Sequence, residues 1–262
     1  MRRITSRQNA LVAFFREVAG RVDPKVVLLD GPHLVVDAIG SGIRLTHALV
    51  ASESASRPDV ATLVTRLAEL QVDVAEASAS VMRAASPLQS PSPVVALAER
   101  PALEDRVFTA PRALVAIACD VQDPGNVGAI VRVAEAAGAS GLIAAGYCAN
   151  PFGWKALRGA MGSTLRLPVR VVDKPLDAVS AARAHGCRVV ATTPRGGRSL
   201  FDADLAGAVA LLIGGEGQGL GDDLLNAADE RVTIPMTPPV ESLNAAVTAA
   251  LVLYEAQRSS LT

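Results

Sequence analysis

Polar side chains that could do chemistry are concentrated in three turns of this 262-residue chain, and the first turn runs from Asp120 to Arg132. Asp123-Pro124-Gly125 is a strong turn signal, and Asn126 stands where the N-cap of a following helix is expected. Arg132 is conspicuous because its neighbours in that helix are small or apolar. We interpret Arg132 as a candidate ligand-binding group, with an ordinary surface arginine as the alternative.

The second turn, Ile213 to Gly221, has five glycines among nine residues and a single carboxylate, Glu216. So many glycines indicate a backbone that lies close to a ligand or to another backbone. Their spacing does not fit the G-x-G-x-x-G dinucleotide fingerprint, and the absence of any Gly-Lys pair in the sequence excludes a phosphate-binding loop of the usual kind. A flexible loop without a ligand is the alternative interpretation.

The third turn, Ile234 to Asn244, contains three prolines that exclude both strand and helix, so it is expected to form a stiff, extended loop. Such a loop can present backbone groups to a ligand at a small cost in ordering. Ser242 is predicted to cap the helix that follows, and Glu241 and Asn244 crowd the same helix start. A capped helix after a proline-rich turn, with no ligand, is the alternative.

Covalent and metal-based chemistry are disfavoured by what the sequence lacks. There is no G-x-S-x-G or H-E-x-x-H motif, and no histidine lies beside an obvious partner. The three cysteines form no C-x-x-C pair and are interpreted as reduced, buried thiols of a cytosolic protein: Cys119, Cys148 and Cys187. No metal site is expected.

The three turns are positioned by a regular alternation of strands and helices in the second half of the chain. Strands are predicted at 114–118, 141–145, 169–172, 188–193, 209–213 and 232–234, and helices at about 126–137, 153–161, 175–185, 221–228 and 243–258. Such alternation predicts a parallel sheet with helices on both faces. Ligands of these sheets bind beyond the carboxyl ends of the strands, which is where the three turns would lie.

Composition and charge divide the chain into domains and suggest a polyanionic partner. Residues 1–98 predict a small α/β domain, 99–112 a linker with two prolines, and 113–262 the larger α/β domain. The net charge is only −1, but 151–200 contains nine Lys or Arg against two acids, so a polyanion could bind locally. No apolar run approaches the roughly 20 residues of a membrane span, and the N-terminus lacks the apolar segment of a signal peptide, so a cytoplasmic location is expected.

In this order, the three turns resemble the three motifs of the SpoU (TrmH-like) RNA 2′-O-ribose methyltransferases of the SPOUT class, over the chain from Leu114 to the C-terminus. The segment from Ile4–Asn9 through Leu29–Leu34 resembles, more loosely, the L30e-like substrate-binding domain that often precedes this catalytic domain. The resemblance implies a C-terminal parallel-sheet α/β domain with a trefoil knot, a homodimer whose active site draws on both subunits, and S-adenosylmethionine as cofactor.

The resemblance also assigns roles to residues. Those implied to hold the cofactor are Thr192, Gly214, Gly215, Ile234, Met236 and Leu243. Those implied to act on the ribose hydroxyl and target nucleotide are Arg132, Asn126, Glu216, Ser242 and Asn244. The candidate RNA contacts are Arg7, Lys155, Arg158, Arg195 and Arg198.

Methyl transfer from a sulfonium depends mainly on holding the 2′-oxygen in line with the methyl carbon, which suits these residue types. Because arginine side chains stay protonated in proteins, we interpret Arg132 first as an orienting group, with a base role assisted by RNA phosphate as the alternative. The substrate is expected to be ribosomal RNA, with transfer RNA as the alternative. Two further alternatives are a knotted RNA-binding protein without catalysis and a small-molecule enzyme with a nucleotide cofactor.

Overall fold

A computed structural model of the protein describes residues 1–260, which form two compact units. The first unit contains Met1–Pro101 and Phe152–Arg158, and the second contains Ala102–Pro151 and the chain from Gly159 onward. Within the described residues, no helix is both long enough and apolar enough to cross a bilayer.

The first unit is a five-stranded sheet with four helices. In chain order its elements are β1 (Arg2–Ile4), α1 (Ala10–Gly20), β2 (Val26–Asp30), α2 (Pro32–Gly40), β3 (Leu45–Ala51), α3 (Pro58–Glu69), β4 (Asp73–Ala77), α4 (Ala79–Ala85) and β5 (Val94–Glu99). The strand order is β1-β4-β3-β5-β2; β1, β4 and β3 are parallel, and β5 is antiparallel to both of its neighbours. Helix α1 begins at Ala10 because the Asn9 side chain caps it by accepting the Leu11 N–H at 2.9 Å.

The second unit is a seven-stranded sheet in which every pair of neighbouring strands is parallel. Its elements are β6 (Leu114–Cys119), α5 (Pro124–Ala136), β7 (Gly141–Ala145), β8 (Val169–Val172), α7 (Pro175–Ala184), β9 (Arg188–Thr192), β10 (Arg198–Ser199), β11 (Val209–Gly214), α8 (Asp222–Ala227), β12 (Glu230–Thr233) and α9 (Ala245–Ser259). Helix α6 (Trp154–Ala160) passes from the first unit to the second at Arg158. The order β10-β12-β9-β11-β6-β7-β8 contains all six predicted strands, and the two-residue β10 was missed.

The parallel sheet is buried as its composition predicts. All five residues of β7 are buried, and so are all but the first of β6 and all but the last of β11, because helices cover both faces of a parallel sheet. Aromatic residues make up only 3% of the chain, so this core is built mainly from Ala, Val, Leu and Ile side chains.

Both predicted helix caps next to the candidate site are wrong by a few residues. The α5 cap is Asp123, whose carboxylate accepts the Asn126 N–H at 2.8 Å, because Pro124 suits the first helical position and starts the helix earlier. The α9 cap is Asn244 rather than Ser242: its Oδ1 accepts the N–H groups of Ala246 at 2.8 Å and Val247 at 3.4 Å. These shifts leave the Asn126 side chain free for other contacts.

Candidate functional site

A cleft of about 550 Å³ lies at the carboxyl edge of the parallel sheet, where β9, β11 and β12 end and α9 begins. It is lined by all six residues predicted to hold the cofactor: Thr192, Gly214, Gly215, Ile234, Met236 and Leu243. Three of the predicted catalytic residues also line it: Glu216, Ser242 and Asn244. The second and third turns of the sequence therefore meet in one cavity, as the strand-end argument predicted.

The glycines of the second turn are required by close backbone packing. A β-carbon on Gly214 would lie 2.5 Å from the backbone carbon of Gly219, and one on Gly215 would overlap the carbonyl oxygen of Asp120. Gly215 and Gly219 also form an isolated antiparallel bridge. The second turn therefore folds back on itself beside the end of β6. This confirms the interpretation that its glycines allow one backbone to lie close to another.

A chain of side-chain hydrogen bonds joins all three turns. The Asn126 amide nitrogen donates to Oε1 of Glu216, and the Asn244 amide nitrogen donates to the Asn126 amide oxygen at 3.0 Å. The Asn244 amide oxygen in turn accepts the first N–H groups of α9. Residues that lie 118 positions apart in sequence are thus in direct contact.

The orientation of each amide in this chain is fixed by its neighbour. Backbone N–H groups can only donate, so they bind the oxygen of Asn244 and turn its nitrogen toward Asn126. An ionised carboxylate can only accept, so Glu216 faces the nitrogen of Asn126. Both ends therefore impose the same direction on the hydrogen bonds, and the polar groups at the cleft are ordered before any ligand binds.

Arg132 differs from the other four predicted catalytic residues because it neither lines the cleft nor belongs to the hydrogen-bond chain. It lies exposed on α5 and does not line the cleft. It makes no hydrogen bond or ion pair with the part of the chain that the structure describes. Its guanidinium is therefore available to a group that comes from outside this chain.

The predicted RNA contacts are spread over exposed surfaces. Arg7 lies in the turn before α1, and Lys155 and Arg158 are exposed on α6. Arg195 forms an exposed ion pair with Glu241 at 3.1 Å, which links the loop after β9 to the proline-rich loop.

Arg198 lies 3.5 Å from the carboxylate of Glu230. None of these five candidate RNA-contact residues is among those that line the cleft.

The cysteines are free thiols in an environment that disfavours reactivity. Burial raises the pKa of Cys148 to about 11, and the nearby carboxylates of Asp120 and Glu216 also raise it. Burial raises the pKa of Cys119 and Cys187 as well. Cys119 and Cys187 are buried as predicted, whereas Cys148 is only half-buried.

No group of His, Cys, Asp and Glu in residues 1–260 could hold a metal ion.

Sequence reasoning missed Asp120 as a residue that organises the site. Asp120 directly follows β6 and has a φ of +56°, a left-handed conformation that aspartate tolerates better than most residues. Its carbonyl abuts Gly215, and its carboxylate accepts the Tyr147 N–H at 2.7 Å. The only signal in the sequence is an aspartate directly after an apolar strand, which is too common to single out.

Comparison with known proteins agrees with this geometry. The chain is 30% identical to the 23S rRNA (guanosine(2553)-2'-O)-methyltransferase RlmP of Bacillus subtilis, over 97% of this chain and 98% of that protein. The crystal structure of the SpoU methyltransferase AviRb from Streptomyces viridochromogenes in complex with AdoMet matches with a TM-score of 0.83 at 30% identity, over 96% of this chain and 98% of that one. An AdoMet-bound rRNA methyltransferase from Sinorhizobium meliloti matches with a TM-score of 0.85 at 29% identity, over 100% of this chain and 99% of that one.

The model of the SpoU rRNA Methylase family matches residues 113–254. This range contains all three turns, the cleft and the hydrogen-bond chain, and it confirms the resemblance recognised in the sequence. On this match and on the agreement along almost the whole chain with RlmP, the protein belongs to the SpoU rRNA Methylase family.

Proposed function

We propose that the protein transfers a methyl group from S-adenosylmethionine to a ribose 2′-hydroxyl of ribosomal RNA in the cytoplasm. The observation that carries the proposal is the Glu216–Asn126–Asn244 chain at the cleft, in a member of the SpoU rRNA Methylase family. It orders polar groups from three distant turns beside one cavity. Two relatives that are named as 23S rRNA 2′-O-methyltransferases support ribosomal RNA as the substrate.

The residues of the cleft fit the cofactor. Its volume of about 550 Å³ lies in the range of small-molecule sites, which is roughly 300–1,000 Å³. Ile234, Met236 and Leu243 supply apolar surface for an adenine ring, and Gly214 and Gly215 let the backbone approach closely. When bound, the cofactor supplies an electrophilic methyl group on a sulfonium.

The chain's own residues would hold the ribose for this transfer. Glu216, Asn126 and Asn244 are pre-ordered, so little motion is needed to fix the hydroxyl in line with the methyl carbon. Ser242 lines the same cleft and would contact the target nucleotide. Arg132 would orient the hydroxyl and the adjacent phosphate, a task that suits its planar set of donors.

We propose a homodimer in which Arg132 of one subunit completes the cleft of its partner. The exposed position of Arg132 outside its own cleft supports this arrangement. On α9, the exposed residues Val247, Leu251 and Tyr254 recur at helical spacing and form an apolar stripe that a partner subunit would cover.

Replacing Leu251 by glutamate is expected to shift the protein from dimer to monomer, because a charge would be buried in that interface. Light scattering after size exclusion measures the change. Leu176→Glu, on an exposed position of α7, is the matched control and should leave the molecular mass unchanged. A dimer that persists in Leu251→Glu would contradict this interface.

Residues 1–98 are proposed as the domain that selects the RNA, with 113–262 as the catalytic domain. Five exposed cations would contact RNA phosphates: Arg7, Lys155, Arg158, Arg195 and Arg198. The trefoil knot of the catalytic domain is part of the same proposal.

The deciding experiment measures methyl transfer from labelled S-adenosylmethionine to ribosomal and transfer RNA from cells that lack the gene. The expected result is one methylated ribose in ribosomal RNA, mapped by its resistance to alkaline cleavage. Methylation of transfer RNA alone would redirect the proposal to that substrate. RNA binding without methylation would overturn the enzymatic proposal.

Asn244 offers a test that separates its two hydrogen-bonding roles. Asn244→Asp should keep the cap of α9, since aspartate caps helices well, but it replaces the N–H that binds Asn126 by an oxygen. We expect a melting temperature near that of the wild type and a turnover number lowered roughly 10- to 100-fold, because positioning is lost.

Asn244→Ala is the comparison: it should lose the cap as well, at about 1 kcal/mol of stability. Thermal unfolding and single-turnover methylation measure the two effects. A fully active Asn244→Asp variant would exclude the hydrogen-bond chain from catalysis.

A further inference from the structure

We propose that Tyr147 is a stacking platform for a nucleobase that flanks the methylated ribose, an inference that rests on the proposed RNA substrate. Tyr147 is 86% exposed, more than any other large apolar side chain that the structure describes as exposed. Single exposed apolar residues are common on protein surfaces, so exposure alone carries little weight. What distinguishes Tyr147 is the way its ring is held and the place where it lies.

The backbone beneath the ring is fixed at several points. Tyr147 donates its N–H to a carboxylate oxygen of Asp120 at 2.7 Å, and Ala149 donates its N–H to the carbonyl of Val121 at 2.8 Å. Gly146 lies between the end of β7 and Tyr147. It has a φ of +72°, and a β-carbon there would overlap the Asp120 carboxylate. The exposed ring therefore stands on a tightly held turn, so presenting it to a ligand costs little ordering entropy.

The same residue, Asp120, connects this turn to the cleft. Its left-handed backbone conformation is unfavourable for a residue with a side chain and persists only where the surroundings require it. Its carboxylate holds Tyr147, while its carbonyl abuts Gly215, which lines the cleft. The ring and the glycine loop are therefore positioned by one residue.

The distance across the sheet suits a neighbouring nucleotide. The strand order places β7 two strands from β11, with β6 between them. Strands lie nearly 5 Å apart, so the turn that carries Tyr147 begins about 10 Å from the end of β11. That separation leaves the cleft to the cofactor and the target ribose and brings the next base along the RNA to the ring.

Nucleobase stacking is the interaction that this ring can make. Proteins read single-stranded RNA by stacking splayed bases on exposed aromatic rings, which tolerate any base because every base has an aromatic face. The ring of Tyr147 makes no aromatic contact within the described part of the chain. Trp154, by contrast, packs against the apolar core of the first unit.

The first test compares Tyr147→Ala with Tyr147→Phe on an unmodified transcript that contains the mapped methylation site. Loss of the ring is expected to raise the KM for this RNA roughly tenfold to a hundredfold. The phenylalanine variant keeps the stacking face and should match the wild type. Affinity for S-adenosylmethionine and the dimeric mass should be unchanged in both variants.

Phe201→Ala removes another exposed aromatic ring, at 60% exposure, and serves as the control with no expected effect on KM. An unchanged KM in Tyr147→Ala, or a change in its oligomeric state, would overturn the assignment.

The second test identifies the stacked base by a double-mutant cycle. Transcripts that lack one base at the target position or at either flanking position are methylated by wild type and by Tyr147→Ala. We expect the penalty of one flanking abasic site to disappear in the variant, because the base and the ring are partners in one contact. If the fold-changes of Tyr147→Ala and of the abasic site simply multiply at both flanking positions, the two are independent and the stacking role is rejected.

Methylation of no RNA by the wild type would instead reject the proposed function itself. The two failures are therefore distinguishable.

Discussion

Arg132→Ala is expected to lower the single-turnover rate of methyl transfer by about a thousandfold or more. Binding of S-adenosylmethionine should stay at the wild-type level. The cofactor cleft does not include Arg132, so its removal leaves the cleft lining intact. The loss is large because an oriented cation beside the reacting hydroxyl acts where charge develops in the transition state, and removing such a group costs roughly 10²–10³ in rate even for neutral donors. Isothermal titration and a rapid-quench methylation assay measure the two quantities.

Two companion variants sharpen the result. Arg132→Lys keeps the charge but loses the planar fork, so it should recover only part of the activity. Arg112→Ala removes an exposed arginine outside the site and should be neutral. Full activity of Arg132→Ala would remove this residue from the mechanism.

The proposed sharing of the site between subunits can be tested with the same variant. Arg132→Ala and Glu216→Ala are each expected to be inactive as pure dimers. If Arg132 completes the partner's cleft, mixing the two variants after dissociation creates dimers with one intact site, and activity should return. No recovery in verified mixed dimers would place Arg132 in the site of its own subunit.

Gly215→Ala is expected to be the most damaging single-methyl change in the cleft. Its β-carbon would overlap the backbone carbonyl of Asp120, and backbone atoms cannot move aside as a flexible side chain can. We expect the loop to shift, the affinity for S-adenosylmethionine to fall by tenfold or more, and stability to drop by about 1–3 kcal/mol, as for other overpacked sites. Calorimetric titration and thermal unfolding measure both effects.

Gly221→Ser is the control for this change, because a β-carbon there meets nothing within 4 Å. Gly221 caps α8, a position that serine also favours, so neither affinity nor stability should fall. Wild-type affinity in Gly215→Ala would show that the close approach to Asp120 does not shape the cleft.

The sequence was informative about the residues that lie where parallel strands end. Parallel strands share one carboxyl edge, so Thr192, Gly214 and Ile234 could be placed together from the alternation of elements and from the resemblance. Helix starts were less predictable, because several polar residues compete for each cap. The N-cap of α5 is Asp123 rather than Asn126, because Pro124 favours the first helical position. The N-cap of α9 is Asn244 rather than Ser242.

Other features depend on tertiary contacts that no local pattern encodes. The Asn126–Asn244 contact joins residues 118 positions apart, and the exposure of Tyr147 follows from a turn that Asp120 holds through a side-chain hydrogen bond. That Arg132 does not line the cleft could not be read from its helical position alone, because the neighbouring elements decide which helix face is covered.

Helix α9 carries both Asn244 at its start and the apolar stripe of Val247, Leu251 and Tyr254 on its next turns. In the proposed dimer, association therefore restrains the same helix that orients the amides beside the cleft. Thermodynamic reciprocity then requires that whatever orders the amides, a bound substrate included, also tightens the pairing of subunits. Dilution should lower the specific activity of the protein before it lowers its helix content. Saturating ligands should lower the protein concentration at which the specific activity begins to fall.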